Sequence, residues 1–159
     1  MKNSLDLDIF DRKILRIIQD NAELSTAEVA EKVGLSQAPC WRRIRRLEEV
    51  GLIRGRVALL DRKMLGLQVM VFAQIKLTVH GASTLPDFDA AIRNFPEVVE
   101  CYTLLGPTDY LLKIVVPTVE AYEEFFRNKL SQLPAVRETN SAIALSEIKN
   151  TTALPIYSA

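Results

Sequence analysis

Residues 25–50 read STAEVAEKVGLSQAPCWRRIRRLEEV, and their pattern decides the fold of the first part of the chain. Ser25 and Glu28 form an S-x-x-E capping box, in which each side chain satisfies a backbone N–H at a helix start. Val29, Ala30 and Val33 follow at helical spacing and give one apolar face. Ala30 is small enough to let another helix cross closely. Gly34 ends the segment, because glycine adopts the left-handed backbone of a helix C-terminus at little cost. Leu35 turns back onto the helix pair. Ser36 is expected to cap the next helix, and Pro39 falls in its first turn, where no N–H is needed.

On a wheel of about 3.6 residues per turn, Cys40, Ile44, Leu47 and Gly51 share one side, which is expected to be buried. Ala38, Arg42, Arg45, Arg46 and Glu49 cluster opposite, with Arg43 and Trp41 on the two flanks. Arg54 and Arg56 follow just after the helix. A scaffold helix, a glycine turn and a basic helix together place side chains in the major groove of double-stranded DNA. Residues near the start of such a helix reach base edges, so Gln37, Ala38, Trp41, Arg42 and Arg45 are the base-contact candidates, with Ser36 beside them at the cap. Arg43, Arg46, Arg54 and Arg56 are the phosphate candidates, which give affinity without sequence information. Trp41 has a second reading as a shield over the helix pair, and Cys40 reads as a small core residue.

The flanking sequence extends this unit. Asp8 is a cap for a helix to Asp20, with Phe10, Ile14, Ile17 and Ile18 as its apolar stripe. Ile53 to Leu60 reads as a strand continuing from the helices, and Asp61 to Gly66 as linker. The period then changes. Gln68–Val79 is rich in branched and aromatic residues and predicts a strand. Ser83 starts a helix carrying Leu85, Phe88, Ile92 and Phe95. Val98–Leu105 and Tyr110–Val116 predict strands around the turn Gly106-Pro107-Thr108-Asp109. Thr118 caps a second helix with Tyr122, Phe125, Phe126 and Leu130 inward, and Thr139–Ile148 predicts a final strand. The order strand, helix, strand, strand, helix, strand is the split βαβ pattern of ferredoxin-like folds. Val69, Val71, Ala73, Ile75 and Leu77, or their alternates, are expected to leave a second apolar sheet face that a further copy covers.

Composition agrees with two parts of different character. The 159 residues are 48% hydrophobic and carry no net charge. Residues 1–63 hold 13 Lys and Arg against 10 Asp and Glu, whereas residues 64–159 hold 7 against 10. A basic first part and an acidic second part suit a DNA-binding module joined to one that should avoid DNA. The N-terminal stretch has no apolar run of signal-peptide length, and no segment approaches the roughly 20 apolar residues of a membrane span. A cytoplasmic protein without membrane partners is the expectation. Two cysteines do not make a disulfide framework. Cys101 reads as packing within a strand, and the one histidine, His80, as a solvated turn residue.

Taken together, L-D-x-x-D-R-K-I-L (Leu7 to Leu15), V-G-L-S-x-x-P-C (Val33 to Cys40), R-R-L-E-x-x-G-x-I (Arg45 to Ile53), G-x-x-D-Y-L-L-K (Gly106 to Lys113) and E-I-K-x-T-T-x-L-P (Glu147 to Pro155) resemble the Lrp/AsnC, or feast/famine, family of transcriptional regulators. The resemblance covers about residues 5–156. It implies an α+β chain: an N-terminal three-helix winged-type helix-turn-helix domain over 5–60, a linker over 61–67, a C-terminal ferredoxin-like βαββαβ regulatory domain over 68–150, and a tail over 151–159. It further implies homodimers, octamers or other assemblies of dimers, and a small amino-acid effector held between dimers. Carried onto this sequence, the effector candidates are Thr103, Leu105, Gly106, Thr108, Asp109 and Tyr110, with Ala142, Ile143 and Ala144 on the last strand. Gly106 leaves room for a carboxylate or ammonium to approach a bare backbone. Asp109 suits an α-ammonium, with a turn-forming role as its other reading.

Other classes fit poorly. No His/Cys/carboxylate cluster for a metal, no Ser–His–acid set and no phosphate-binding glycine loop stands out, so neither catalysis nor a cofactor is expected. A metal-responsive repressor of similar architecture is the alternative reading, and it suffers from the same scarcity of ligands. An RNA-binding sheet would need exposed aromatic pairs and a basic surface that the second part lacks.

Overall fold

A computed structural model describes residues 6–78, 85–133 and 136–157. Val79, His80 and Ser83, each given a role above, lie outside these residues. The chain forms two compact units. Of the described residues, one holds those up to Leu59 together with those from Lys149 onward, and the other those from Leu60 to Ile148.

The first unit is built on three helices, α1 (Ile9–Asp20), α2 (Thr26–Val33) and α3 (Gln37–Glu49). Asp8 caps α1 by accepting from the N–H groups of Phe10 and Asp11, and Asp11 reaches back to the Asp8 N–H. This second capping box uses Asp rather than Glu at the third helical position. Ser25 and Glu28 form the expected box at α2, and Gly34 ends that helix at φ 76°. Ile14, Ile18, Val29, Ala30, Val33, Cys40, Ile44 and Leu47 close one apolar core. Burying each large aliphatic chain there contributes about 1.5–3 kcal/mol.

Three expectations need correction here. Ser36 occupies the N-cap of α3, but its side chain makes no capping hydrogen bond. Gly51 is not on the buried side of α3: the helix ends at Glu49, and Gly51 turns the chain at φ 76° with its surface exposed. Ile53–Leu60 forms no strand, since no neighbouring edge pairs with it among the described residues, and Val57, Leu59 and Leu60 are largely exposed. A lone strand has nothing to satisfy its backbone but water.

A feature that the helical pattern did not reveal completes this unit. The C-terminal segment lies along α1, antiparallel to it. Gln19 exchanges two hydrogen bonds with the Leu154 backbone, each 3.0 Å. Arg16 donates twice to the Ile156 carbonyl, and Arg12 Nη1 donates to that of Tyr157 at 3.1 Å. Arg12, Arg16 and Gln19 share one helical face, so the strap follows the helix axis.

In the second unit, β1 (Val69–Leu77), α4 (Leu85–Arg93), β2 (Val98–Thr103), β3 (Tyr110–Val116), α5 (Val119–Asn128) and β4 (Val136–Ile143) follow in order, with a short 3-10 turn at Leu130–Gln132. The sheet order β2-β3-β1-β4, antiparallel throughout, is the ferredoxin-like arrangement. Thr118 caps α5 as expected. Strand β4 starts and ends earlier than its expected span, and β2 stops at Thr103.

Val71, Ala73, Ile75 and Leu77 of β1 join Tyr110, Leu112, Ile114 and Val116 of β3 against Phe88, Ile92, Phe125 and Leu130. The opposite face is less apolar than expected. Its β1 residues are Met70, Phe72, Gln74 and Lys76, and Lys113 pairs there with Glu100 at 2.9 Å. Phe72 and Tyr102 are exposed on it. Cys101 is likewise not packed away: it is exposed, opposite Leu112 on the helix-covered side.

Candidate nucleic-acid interface and effector site

Helix α3 is held from its α1 side by charge. The Asp11 carboxylate, 1% exposed, binds Arg43 Nη1 at 2.9 Å and Arg46 Nη2 at 2.5 Å. Arg43 also binds Asp8 at 2.6 Å. The backbone N–H of Asp11 and then the Arg43 guanidinium hold the Asp8 carboxyl below its ordinary range. Burial pushes the Cys40 thiol up, so Cys40 packs as a neutral side chain.

Of the arginines assigned to DNA, Arg43 and Arg46 are therefore tied to α1, while their side chains keep 28% and 47% exposure. Arg56 pairs with Glu48 at 3.1 Å, and Arg45 lies 3.5 Å from the same residue. Arg42 and Arg54 carry no ion pair among the described residues. Ser36, Gln37, Ala38, Trp41, Arg42 and Arg45 are all exposed along the start and outer side of α3. Trp41 is 52% exposed, and the Arg45 guanidinium lies 5.8 Å from its ring centre. About half of the Trp41 surface therefore faces solvent, with Arg45 beside its ring.

The effector candidates fall into two groups. Thr103, Leu105, Gly106, Thr108, Asp109 and Tyr110 lie at the tip joining β2 to β3. Ala142, Ile143 and Ala144 lie at the end of β4, where Ile143 pairs with Val71 and the Ala144 N–H donates to the Met70 carbonyl. Tyr110 pairs with Ile75. Two strand spacings of about 4.8 Å and four residues of about 3.3 Å rise put Tyr110 and Ile143 roughly 16 Å apart. One chain does not bring the two groups around one small ligand.

At the tip, the Asp109 Oδ2 accepts the Leu77 N–H at 2.7 Å, and the Asp109 N–H donates to the Ile75 carbonyl. The aspartate fastens the hairpin to β1, a role that neither sequence reading anticipated. Beyond Gly106 and its two chain neighbours, no atom lies within 4 Å of where a Cβ on Gly106 would stand, so its surroundings are open. Leu105 is fully exposed. Tyr110 is buried, and its hydroxyl donates to Asp89 Oδ1 at 2.9 Å. Burial, then the bond to Asp89, pushes this phenol up to about 12. The bond from Tyr110 to Asp89 was not legible in the sequence, because a charged residue on a helix reads as part of a solvated face.

Family models match both units: a winged helix-turn-helix DNA-binding domain over residues 7–54 and an Lrp/AsnC ligand-binding domain over residues 70–154. The chain belongs to the Lrp/AsnC family. Among its relatives, the transcriptional activator DecR of Escherichia coli K12 is 37% identical over 94% of this chain and 99% of its own. An AsnC-family regulator from Agrobacterium tumefaciens is 46% identical, with a TM-score of 0.89 over 94% of this chain and 97% of its own. A transcriptional regulator from Neisseria meningitidis, solved as a complex with L-Met, is 37% identical, with a TM-score of 0.91 over the same shares. This Lrp/AsnC protein is a DNA-binding transcriptional regulator with an Lrp/AsnC ligand-binding domain, and it is not an enzyme. None of its helices, among the described residues, is long and apolar enough to cross a membrane.

Proposed function

We propose that this regulator reads specific double-stranded DNA with the outer side of α3, and that its assembly or DNA binding responds to a small amino acid bound between dimers. The observation that carries the first half is the division of labour on α3. Asp11 clamps Arg43 and Arg46 on one flank, while Gln37, Ala38, Trp41, Arg42 and Arg45 stay exposed at the start and outer side. The clamp fixes the angle of the helix, and the exposed side chains read bases. Arg54 and Arg56 add phosphate contacts after the helix.

The second half is supported by the separation of the effector candidates. Residues roughly 16 Å apart within one chain can surround one ligand only if another copy supplies the second group. The partly apolar open sheet face, with Phe72 and Tyr102 exposed, supports pairing of copies into a dimer. An amino acid acts by favouring one assembly over another, since a ligand shifts an equilibrium only by its differential affinity. A cytoplasmic location accords with duplex DNA as the partner.

The test starts from an operator selected out of random duplexes by the full-length protein. Gel shifts of Arg42→Ala and Arg45→Ala should each show a loss of about 1–3 kcal/mol if the residue reads a base. Unchanged affinity in both variants refutes the α3 assignment. Light scattering should show at least a dimer; a stable monomer of 17.9 kDa contradicts the assembly.

A further inference from the structure

We propose that Glu48 is a positioning residue for DNA reading: its two carboxylate oxygens hold Arg45 and Arg56 on one flank of α3, and this hold makes the contact of Arg45 with DNA specific. The inference deepens the reading of α3 given above and rests on it. Glu48 Oε1 lies 3.1 Å from Arg56 Nη1, and Glu48 Oε2 lies 3.5 Å from Arg45 Nη1. Each oxygen therefore serves one guanidinium.

Trp41, Arg45 and Glu48 follow one another at spacings of four and three residues, so they form a row on one flank of the helix. The Arg45 guanidinium lies 5.8 Å from the Trp41 ring centre on one side of this row and meets the Glu48 carboxylate on the other. Arg56 comes from the segment beyond the helix and joins the row through Glu48. Glu48 is the most covered of the three charged groups: its side chain is 25% exposed, against 55% for Arg45 and 44% for Arg56. The acid thus stands behind two cations that reach further into solvent. Ion pairs this exposed contribute little to stability. What Glu48 supplies is direction, because a long side chain must otherwise give up its rotamer freedom at the moment of binding.

Direction matters for one kind of contact and not for the other. A base edge is read only by a guanidinium that arrives in the right orientation, whereas a mobile cation gains from any phosphate within reach. Held between an indole ring and a carboxylate, Arg45 is oriented before it meets a base. Arg56, paired with the same carboxylate, is kept from phosphates that the docked complex does not present to it. Releasing both arginines favours nonspecific contact and weakens reading. Glu49 supplies the contrast: it is the next residue, it is exposed, and it carries no ion pair among the described residues. A general repulsion between phosphate and a carboxylate on this helix would be common to Glu48 and Glu49, but the hold on the arginines belongs to Glu48.

Full-length protein would be titrated by fluorescence anisotropy against its selected operator and against a random duplex of equal length. Glu48→Gln should lower the ratio of operator to random-duplex affinity by about fivefold or more, with discrimination relaxed at the same base pairs as in Arg45→Ala. Glu49→Gln, an equal change of charge, should leave the ratio within about twofold of wild type. In a background of Arg45→Ala and Arg56→Ala, Glu48→Gln should change the ratio no further. Glutamine at this partly exposed position leaves no group out of reach of water, so the fold is kept, which circular dichroism would verify. A ratio within about twofold of wild type in Glu48→Gln, or an equal fall in Glu49→Gln, overturns the positioning role. So does a loss that persists without the two arginines, since Glu48 would then be meeting DNA itself, as a carboxylate accepting from cytosine does. Each of these results leaves the α3 reading standing. Unchanged operator affinity in both Arg42→Ala and Arg45→Ala removes that reading and this one together.

Discussion

Replacing Asp11 with alanine removes the acceptor shared by Arg43 and Arg46. The carboxylate is 1% exposed and makes contacts of 2.9 and 2.5 Å, so the two guanidinium groups lose their only buried counter-charge. Breaking a buried pair from one side costs about 3–5 kcal/mol. The arginines keep 28% and 47% exposure and can turn toward water, which lowers the cost. Arg43 also retains Asp8. A loss of about 2–3 kcal/mol follows, a large part of what a three-helix unit this small can hold. The single tryptophan, Trp41, sits in α3 and reports on this unit alone. With an m-value of about 1 kcal/mol/M in urea, the midpoint followed by Trp41 fluorescence should fall by about 2–3 M. In a background of Arg43→Ala and Arg46→Ala, the same Asp11→Ala change should cost only what its capping bond to the Asp8 N–H contributes, because the ion pairs have already gone. A midpoint shift below about 0.5 M, or equal losses in both backgrounds, would show that the clamp does not hold α3.

Four further outcomes follow from the geometry. Truncation after Ile148 removes the five strap hydrogen bonds to Arg12, Arg16 and Gln19; being exposed, they should contribute about 1–2 kcal/mol together, and an unaltered Trp41-detected melt would contradict the docking. Asp109→Ala frees the hairpin from the Leu77 N–H and should destabilise the second unit by about 1–2 kcal/mol, read as an earlier loss of its circular dichroism on heating. Gly106→Ala should leave stability unchanged, since nothing beyond its two chain neighbours lies within 4 Å of the new methyl group; a lowered melting temperature would show that the turn tolerates no side chain. The Asp8 carboxyl lies below its ordinary 3.8 in the folded state, so its stabilisation is complete above that value and is lost as pH falls through the lower, folded one. Asp8→Asn keeps a good cap but does not titrate, so its urea midpoint should fall less steeply below about pH 4 than that of wild type; parallel acid limbs would refute the assignment.

Local chemistry wrote much of this fold into the sequence. Caps at Asp8, Ser25 and Thr118, the left-handed Gly34 and the change from helical to alternating period each depend on residues within one turn of each other. These elements therefore stand at or near their expected positions. The order of strands and helices in the second part then leaves few ways to build a sheet, and the ferredoxin-like one is observed. Where reading from local pattern failed, a neighbour was missing. Ile53–Leu60 alternates like a strand but finds no edge, and Ser36 has a capping identity without the capping bond.

What the amino-acid order determined by itself is the basic outer face of α3, the turn chemistry of the hairpin and the family to which they belong. These need only periodicity and adjacency. Packing alone decided which charges are spent internally: Arg43 and Arg46 meet Asp11 across 32 and 35 residues of chain, and Asp109 meets Leu77 across 32. The same holds for the strap on α1 and for Asp89 turned to Tyr110. Electrostatic and hydrogen-bond partners are set by distance in space, and a linear sequence carries no record of distances between residues far apart along it.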